Sequence, residues 1–232
     1  MLRAILFDFN GVLVDDEPVH LELFQKVLAE EGIELTSEDY YAHYLGFDDR
    51  GCFRAVLGAA GESATADRLS RLIARKSAYY QMRIRQQGFP VYPGAAELIA
   101  EVAAADWMLG VVSGALHDEV EGALVQMGLR HHFKTIVAAE DVEEGKPHPE
   151  GYQRGLEHLN SLPPLPSRLV HPHEVLAIED SPAGLAAASA CALTTLGVAQ
   201  TYPASELTTA DRVVESVAEL SLSKLRILFK ES

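Results

Sequence analysis

The chain has 232 residues, of which 48% are hydrophobic and 23% are charged, and its formal net charge at pH 7 is −15. This length and composition are typical of a globular protein with one domain, or with a smaller domain inserted into a larger one. The acidic excess argues against general binding to nucleic acids or anionic membranes, because both are polyanions. A phosphate-bearing ligand would therefore need a local cation, a metal ion or backbone N–H groups.

The chain also lacks sequence signals for export or membrane insertion. Cys52 and Cys191 are far apart and have no metal-ligating neighbours, which is typical of reduced thiols in a cytoplasmic protein. No signal-peptide pattern precedes the first apolar segment, and no stretch approaches the roughly 18–20 apolar residues of a membrane span. We expect a cytoplasmic protein, a monomer or weak dimer, with no nucleic-acid or membrane partner.

The first predicted element is a short buried strand that ends in an acid. Residues 4–7 are uniformly apolar, Asp8 follows them, and Gly11 lies three residues further on. A run too short for a helix and followed by a turn residue is typical of a buried parallel strand. Open α/β sheets bind ligands at the carboxyl ends of such strands. Asp8 is therefore a candidate functional residue, with an ordinary strand-ending aspartate as the alternative.

The following block, residues 15–90, is predicted to be helical throughout. Apolar residues recur at helical spacing in 19–31, and Thr36 precedes acidic residues as a helix N-cap would. Further helices are expected over 51–57 and 64–87.

From Val91 onward the pattern changes to alternating strands and helices. The predicted strands are 108–112, 135–138, 175–178, 193–198 and 212–214, and the predicted helices are 95–104, 118–127, 149–159 and 183–190. Strands separated by helices pair in parallel through right-handed crossovers. The sequence thus predicts an α/β fold, a Rossmann-like three-layer core of residues 1–14 and 91–232, with an inserted α-helical domain of residues 15–90.

Two later segments carry further candidate polar groups, and the first of them is expected at the edge that carries Asp8. Ser113 and Gly114 follow the strand 108–112, so a hydroxyl and a turn N–H are expected there, although many strands end in Ser-Gly turns. Lys146 lies in the segment Gly-Lys-Pro-His-Pro before a helix. The prolines stiffen this approach and favour a presented ammonium over a freely solvated one.

Two adjacent acids, Glu179 and Asp180, end the apolar strand that begins at residue 175. Buried neighbouring carboxylates are costly without a cation, unless their pKa values rise and they become neutral. Beside Asp8 they would offer the hard oxygen ligands that Mg²⁺ prefers.

These segments resemble, in order, the four motifs of the haloacid dehalogenase superfamily. The matching segments are residues 8–12 (Asp-Phe-Asn-Gly-Val), the strand ending at Ser113, residues 145–149, and residues 179–184 (Glu-Asp-Ser-Pro-Ala-Gly). The resemblance implies a phosphatase that acts on a small phosphorylated metabolite, with Asp8 attacking phosphorus to form an aspartyl-phosphate. It implies that Ser113, Gly114 and Lys146 neutralise the phosphoryl group. It also implies a Mg²⁺ cofactor held by Asp8, the Asn10 carbonyl and Asp180, with Glu179 near the metal.

One position departs from the family pattern, because the second acid of the first motif is Asn10 here. In related phosphatases this residue protonates the leaving group and then activates water. An amide cannot do so, and general acid–base catalysis is worth about 10²–10⁴-fold in rate. The substitution could be engineered, the acid–base group could lie elsewhere, or the protein could bind phosphate esters with little turnover. The candidates for a replacement are Asp15, Asp16, Glu17 and His20, although a hinge or packing role is favoured for His20.

The helical block resembles the cap of the β-phosphoglucomutase-like subgroup, which supplies substrate specificity and opens and closes over the site. The resemblance implies substrate contacts from His20, Gly46, Arg50 and Lys76. In that subgroup the loop after the glycine carries a hydroxyl and then an arginine that grips a distal phosphate. Acids precede Arg50 here, so a sugar phosphomutase is the alternative to a phosphatase rather than the first expectation.

Overall fold

A computed structural model of the chain describes residues 2–229. Within these residues the chain forms two compact units. We call residues 2–15 and 89–229 the α/β unit, and Asp16–Gly88 the helical unit. The predicted domain boundaries, 14/15 and 90/91, lie next to these divisions.

A six-stranded sheet forms the centre of the α/β unit, and all of its neighbouring strands pair in parallel. Their spatial order is β3-β2-β1-β4-β5-β6. The strands are β1 (Ala4–Phe7), β2 (Met108–Val112), β3 (Phe133–Val137), β4 (Val175–Glu179), β5 (Thr194–Val198) and β6 (Arg212–Val214). The predicted α/β class with a parallel sheet is confirmed.

Five helices of the α/β unit alternate with or follow these strands. They are α5 (Ala95–Ala104), α6 (His117–Gln126), α7 (Glu150–Ser161), α8 (Pro182–Ala190) and α9 (Leu222–Leu228). The sequence interpretation missed α9, whose seven residues are too few to show a clear helical period. In the other elements the predicted and observed ends differ by two residues at most.

Alternate residues of β1 enter two different hydrophobic clusters, which gives the unit its three layers. Ile5 and Phe7 belong to one cluster, whereas Ala4 and Leu6 belong to the other. Because successive side chains of a strand point to opposite faces, both faces of this central strand are covered. All four residues are fully buried. Asp8, the next residue, is thereby fixed at the end of a fully buried strand.

The helical unit has its own core. Its helices are α1 (Glu17–Glu30), α2 (Ser37–His43), α3 (Asp49–Ala59) and α4 (Ala66–Gln87). Thr36 accepts a hydrogen bond from the Asp39 N–H and so caps α2 as predicted. Phe24, Tyr40 and Phe53 are buried together in the core of this unit.

Two short segments of the α/β unit flank the helical unit in sequence, and they run antiparallel to each other. Val14 forms a bridge with Val91. The Asp15 N–H donates to the Pro90 carbonyl at 2.7 Å, and the Tyr92 N–H donates to the Leu13 carbonyl at 3.0 Å. The chain therefore leaves and re-enters this unit at adjacent points. Among the helices of the described residues, none has the length and apolarity needed to cross a membrane.

Candidate active site

Three polar segments converge at one edge of the sheet because each follows a neighbouring parallel strand. Asp8 follows β1, Ser113 follows β2, and Asp180 follows β4, and β1 lies between the other two strands. Backbone bonds extend the pairing beyond the strand ends. The Asp8 N–H donates to the Ile178 carbonyl and the Ser113 N–H to the Val137 carbonyl, both at 2.9 Å. The fold thus fixes these side chains through backbone geometry.

Lys146 brings a positive charge to this edge. Its Nζ lies 2.7 Å from Asp8 Oδ1 and 2.6 Å from Glu179 Oε1, and it donates to the Val112 carbonyl at 3.1 Å. These three acceptors use the three N–H bonds of the ammonium group. Burial alone would lower the pKa of Lys146, but Asp8 and Glu179 raise it above its usual value. Lys146 is therefore held charged and in one orientation.

Glu179 is fully buried, and one oxygen of its carboxylate, Oε1, is bound by two donors. Besides Lys146, the hydroxyl of Tyr152, a fully buried residue on α7, donates to Glu179 Oε1 at 2.5 Å. The net pKa of Glu179 is raised to about 7. Desolvation and the charge of Asp8 raise it, whereas Lys146 and the hydrogen bond from Tyr152 lower it. Desolvation and the nearby carboxylates raise the pKa of Tyr152 well above its usual value, so the phenol remains a donor.

Asp180 lies directly over the loop that follows β1. Gly11 has a φ of +75°, and a Cβ atom at this position would lie 1.8 Å from Asp180 Oδ2 and 2.5 Å from Thr201 Oγ1. Only glycine fits this close approach. Burial raises the pKa of Asp180, as do the charges of Asp8 and Glu179, whereas the Thr201 hydroxyl lowers it by hydrogen bonding to the carboxylate.

Gln200 fixes the same loop from the other side. Its Nε2 donates to the Gly11 carbonyl at 2.8 Å. Its Oε1 accepts from the Val217 N–H at 2.8 Å and from the Ser216 hydroxyl at 3.1 Å. The amide thus ties the Asn10–Gly11 turn to the segment after β6.

The acidic side chains have the composition of a divalent-cation site. Ligand atoms of Asp8, Glu179 and Asp180 lie within 4.8 Å of one another. If all three are ionised, the Lys146 ammonium is the one cation of the described residues paired with them, which leaves a formal surplus of two negative charges. Oxygen donors and this surplus fit Mg²⁺, and the raised pKa values of Glu179 and Asp180 reflect the cost of close, buried carboxylates.

Ser113 and Gly114 form the turn after β2. Ser113 is buried, and its Oγ accepts a hydrogen bond from the Ala115 N–H at 2.9 Å. The hydroxyl therefore remains able to donate in another direction. Gly114 is exposed. Asn10 lies in the turn between Asp8 and Gly11 and forms a bridge with Val14.

The remaining predicted substrate residues lie in the helical unit. Lys76 is almost fully buried, and its Nζ lies 2.5 Å from Asp49 Oδ1 and 2.8 Å from His20 Nδ1. Gly46 and Arg50 are exposed. His20 Nε2 is 3.2 Å from a carboxylate oxygen of Asp16, so His20 lies within a polar chain of this unit. The roles predicted for these four substrate residues stay predictions.

Sequence reasoning missed three residues that shape the site, namely Tyr152, Gln200 and Thr201. Each contacts a candidate residue from a segment distant in the chain, and none lies in a motif that the sequence interpretation singled out. The one available sequence signal for a site residue was that Tyr152 lies six residues after Lys146, near the start of a helix. A buried tyrosine at such a position is more often a packing residue than a polar partner.

Comparison with known proteins identifies the family. A family model described as haloacid dehalogenase-like hydrolase matches residues 5–198, a span that includes Asp8, Ser113, Lys146 and Asp180. The chain belongs to the haloacid dehalogenase-like hydrolases. The family resemblance drawn from the four motifs is thus confirmed.

Individual proteins support this membership. The hydrolase is 27% identical to validoxylamine A 7'-phosphate phosphatase of Streptomyces hygroscopicus subsp. limoneus over 228 residues, or 95% of this chain and 96% of that protein. It is 28% identical, with a TM-score of 0.81, to an Asp-to-Asn mutant of CbbY from Rhodobacter sphaeroides solved with xylulose-(1,5)bisphosphate, covering 97% and 99% of the two chains. β-Phosphoglucomutase from Clostridium difficile, at 22% identity and a TM-score of 0.80 over 98% and 97%, shares the fold.

Proposed function

We propose that this hydrolase is a Mg²⁺-dependent phosphatase that cleaves a small phosphorylated metabolite through an aspartyl-phosphate on Asp8. One observation carries the proposal: the Lys146 ammonium is bound between the Asp8 and Glu179 carboxylates at the carboxyl ends of parallel strands. A fixed cation beside a nucleophilic carboxylate is what phosphoryl transfer requires. The phosphatase name of a relative that matches 95% of the chain agrees with this assignment.

In the first step, an Asp8 oxygen attacks phosphorus, and the bond from phosphorus to the substrate oxygen breaks. In the second step, water attacks the phosphorus of the aspartyl-phosphate and restores the Asp8 carboxylate, with release of inorganic phosphate. The Ser113 hydroxyl and the Gly114 N–H donate to the phosphoryl oxygens, and the charge of the Lys146 ammonium neutralises them. Their charge and hydrogen bonds stabilise the negative charge of the transition state.

The residues that would hold Mg²⁺ are Asp8, Asp180 and the backbone carbonyl of Asn10, with Glu179 beside them. When bound, the metal ion adds positive charge at the phosphoryl oxygens and offsets the surplus of acidic charge at the site. The hydrogen bond from Gln200 to the Gly11 carbonyl and the close packing of Asp180 against Gly11 fix the backbone that presents the Asn10 carbonyl.

Asn10 leaves the proton transfers to another group, because the departing oxygen needs a proton and the attacking water must lose one. Asp15 lies in the same unit as Asp8, and its Oδ1 accepts a hydrogen bond from the Tyr92 hydroxyl at 3.1 Å. Asp16, Glu17 and His20 belong to the helical unit and remain candidates as predicted.

Two observations bear on the alternative functions. In the helical unit Asp49 already neutralises Lys76, which favours a monophosphate hydrolase over a sugar phosphomutase that must hold a second phosphate. Asn10 favours the other alternative, a phosphate-ester binder with weak turnover, because it keeps the binding groups and removes the usual acid–base group.

A turnover assay separates these functions. The native chain, Asn10→Asp and Asp8→Asn are incubated with Mg²⁺ and a panel of sugar, polyol and carboxylic-acid phosphates, and inorganic phosphate and isomerised product are both measured. We expect phosphate release by the native chain, none by Asp8→Asn, and an increase of about 10²-fold or more in kcat for Asn10→Asp. Binding without release by both the native chain and Asn10→Asp would overturn the phosphatase proposal in favour of the binder. Isomerised product without phosphate release would favour the mutase.

A further inference from the structure

Tyr152 is a buried polar residue that the proposed reaction steps do not use. It lies on α7, whereas Glu179 ends β4 and Lys146 lies in the loop before α7. Its hydroxyl is 2.5 Å from Glu179 Oε1, the same oxygen that is 2.6 Å from Lys146 Nζ. A buried phenol needs a hydrogen-bond partner, and here that partner is a group of the candidate site.

The contacts of Glu179 show what the phenol does to it. The other oxygen, Oε2, lies 3.5 Å from the Ser181 hydroxyl, and it is 2.0 Å from where a Cβ atom on Gly184 would be. The carboxylate is thus confined by the start of α8 on one side and bound by Tyr152 and Lys146 on the other. Removing the phenol would free one lone pair of Oε1 and loosen the carboxylate against Lys146.

Glu179 in turn determines where the Lys146 ammonium lies. Of the three acceptors around Nζ, Asp8 is the proposed nucleophile and the Val112 carbonyl is a weaker, neutral partner. Glu179 is the second charged partner and has no exposed surface. Hydrogen bonds to charged groups are stronger and more directional than neutral ones.

We propose that Tyr152 is a positioning residue for phosphoryl transfer, which acts by holding the Glu179 carboxylate so that it fixes the Lys146 ammonium beside Asp8. The inference rests on the proposed function. Tyr152 does not touch the phosphoryl group itself. Its effect passes through one hydrogen bond to Glu179 and one ion pair from Glu179 to Lys146.

The test uses Tyr152→Phe, which removes only the hydroxyl. Tyr79→Phe is the matched control, because the hydroxyl of the half-buried Tyr79 also donates to a glutamate, Glu30, at 2.8 Å, and Glu30 belongs to the helical unit and is not an acid–base candidate. We expect Tyr152→Phe to lower kcat about tenfold with little change in KM, in line with the loss of a hydrogen bond to a charged group. Tyr79→Phe should lose part of its thermal stability and retain kcat.

A second readout does not depend on turnover. Each protein is treated with a trace of acetic anhydride, and acetylation of individual lysines is measured by peptide mass spectrometry. Lys146 should be acetylated several-fold faster in Tyr152→Phe than in the native chain, whereas the buried Lys76 of the helical unit should react at the same rate in both. General destabilisation would instead raise both rates.

A double-mutant cycle tests the route of the effect. In a Glu179→Gln background, where the charge that holds Lys146 is already absent, Tyr152→Phe should change neither kcat nor the acetylation of Lys146. The inference is overturned if Tyr152→Phe leaves kcat and the acetylation of Lys146 at native values, if Tyr79→Phe changes both as expected for Tyr152→Phe, or if the effects of Tyr152→Phe and Glu179→Gln are additive. Phosphate release by Asp8→Asn at the native rate would instead overturn the proposed function, so the two failures are distinguishable.

Discussion

Replacing Gly11 by alanine tests the close approach of Asp180 to the turn after β1. An L-residue at the φ of +75° found there costs about 1–2 kcal/mol. The added methyl group would also lie 1.8 Å from Asp180 Oδ2, so the carboxylate or the turn must move. Overpacking of this kind costs a further 1–3 kcal/mol, roughly.

Gly32 provides a control for the backbone contribution. Its φ is +77°, and a Cβ atom there would have no heavy atom of the described residues within 4 Å. Gly32→Ala should therefore lose about 1–2 kcal/mol of unfolding free energy through backbone strain alone. Gly11→Ala should lose clearly more, because it adds the contact with Asp180 to the same strain.

The assay combines urea unfolding with phosphate release at varied Mg²⁺ concentration. Because Gly11→Ala displaces a proposed metal ligand, we expect kcat to fall and the Mg²⁺ concentration for half-maximal release to rise, whereas Gly32→Ala should match the native chain in both. If the two variants lose the same unfolding free energy and both retain native phosphate release, the position of Asp180 does not depend on the absence of a side chain at Gly11.

Three other experiments test single residues. Arg168 lowers the pKa of Glu174 to about 2 from an ordinary 4.5, so Glu174 stabilises the fold above about pH 4.5. At pH 7 the unfolding free energy of the native chain should exceed that of Glu174→Gln by about 1 kcal/mol, a small value because Arg168 is largely exposed. Urea unfolding should show this difference shrink as the pH falls toward about 2. Asp49→Asn should destabilise more than Lys76→Met, by about 1–3 kcal/mol, because only the former leaves a buried ammonium without its anion. Burial raises the pKa of the Cys52 thiol to about 12, so a thiol reagent at pH 8 should label it only as the native chain unfolds.

Each of these tests has a defined contrary result. A Glu174→Gln difference that stays constant with pH would contradict the ion pair with Arg168. Equal stability of Asp49→Asn and Lys76→Met would mean that the ammonium of Lys76 is hydrated rather than buried. Labelling of Cys52 in the native chain as fast as that of the less buried Cys191 would show that the core of the helical unit opens locally.

The strands of the sheet could be predicted because local patterns determine them. Apolar runs of four or five residues, each bounded by turn or helix signals, correspond to a buried parallel strand. For the same reason the sequence could place Asp8, Ser113 and Asp180 at one edge of the sheet, since each directly follows a strand. Lys146 could be placed there only through the family resemblance, because it follows a loop of irregular structure.

The partners of these residues could not be predicted, because they depend on contacts between distant segments. Tyr152 and Glu179 are 27 positions apart, and Gln200 and Gly11 are 189 apart. Hydropathy and spacing carry no information on which buried hydroxyl or amide meets which acceptor. The same applies to Lys76, whose charge suggests a solvated residue and whose burial follows from Asp49 and His20.

The antiparallel pairing of segments 13–15 and 90–92 has an evolutionary consequence. Since the chain departs from the sheet and returns to it at adjacent positions, the sequence between these points can change in length or fold without shifting the register of β1 or β2. The helical unit is in this sense an exchangeable module. Changes confined to the helical unit would therefore leave the groups around Asp8 in place.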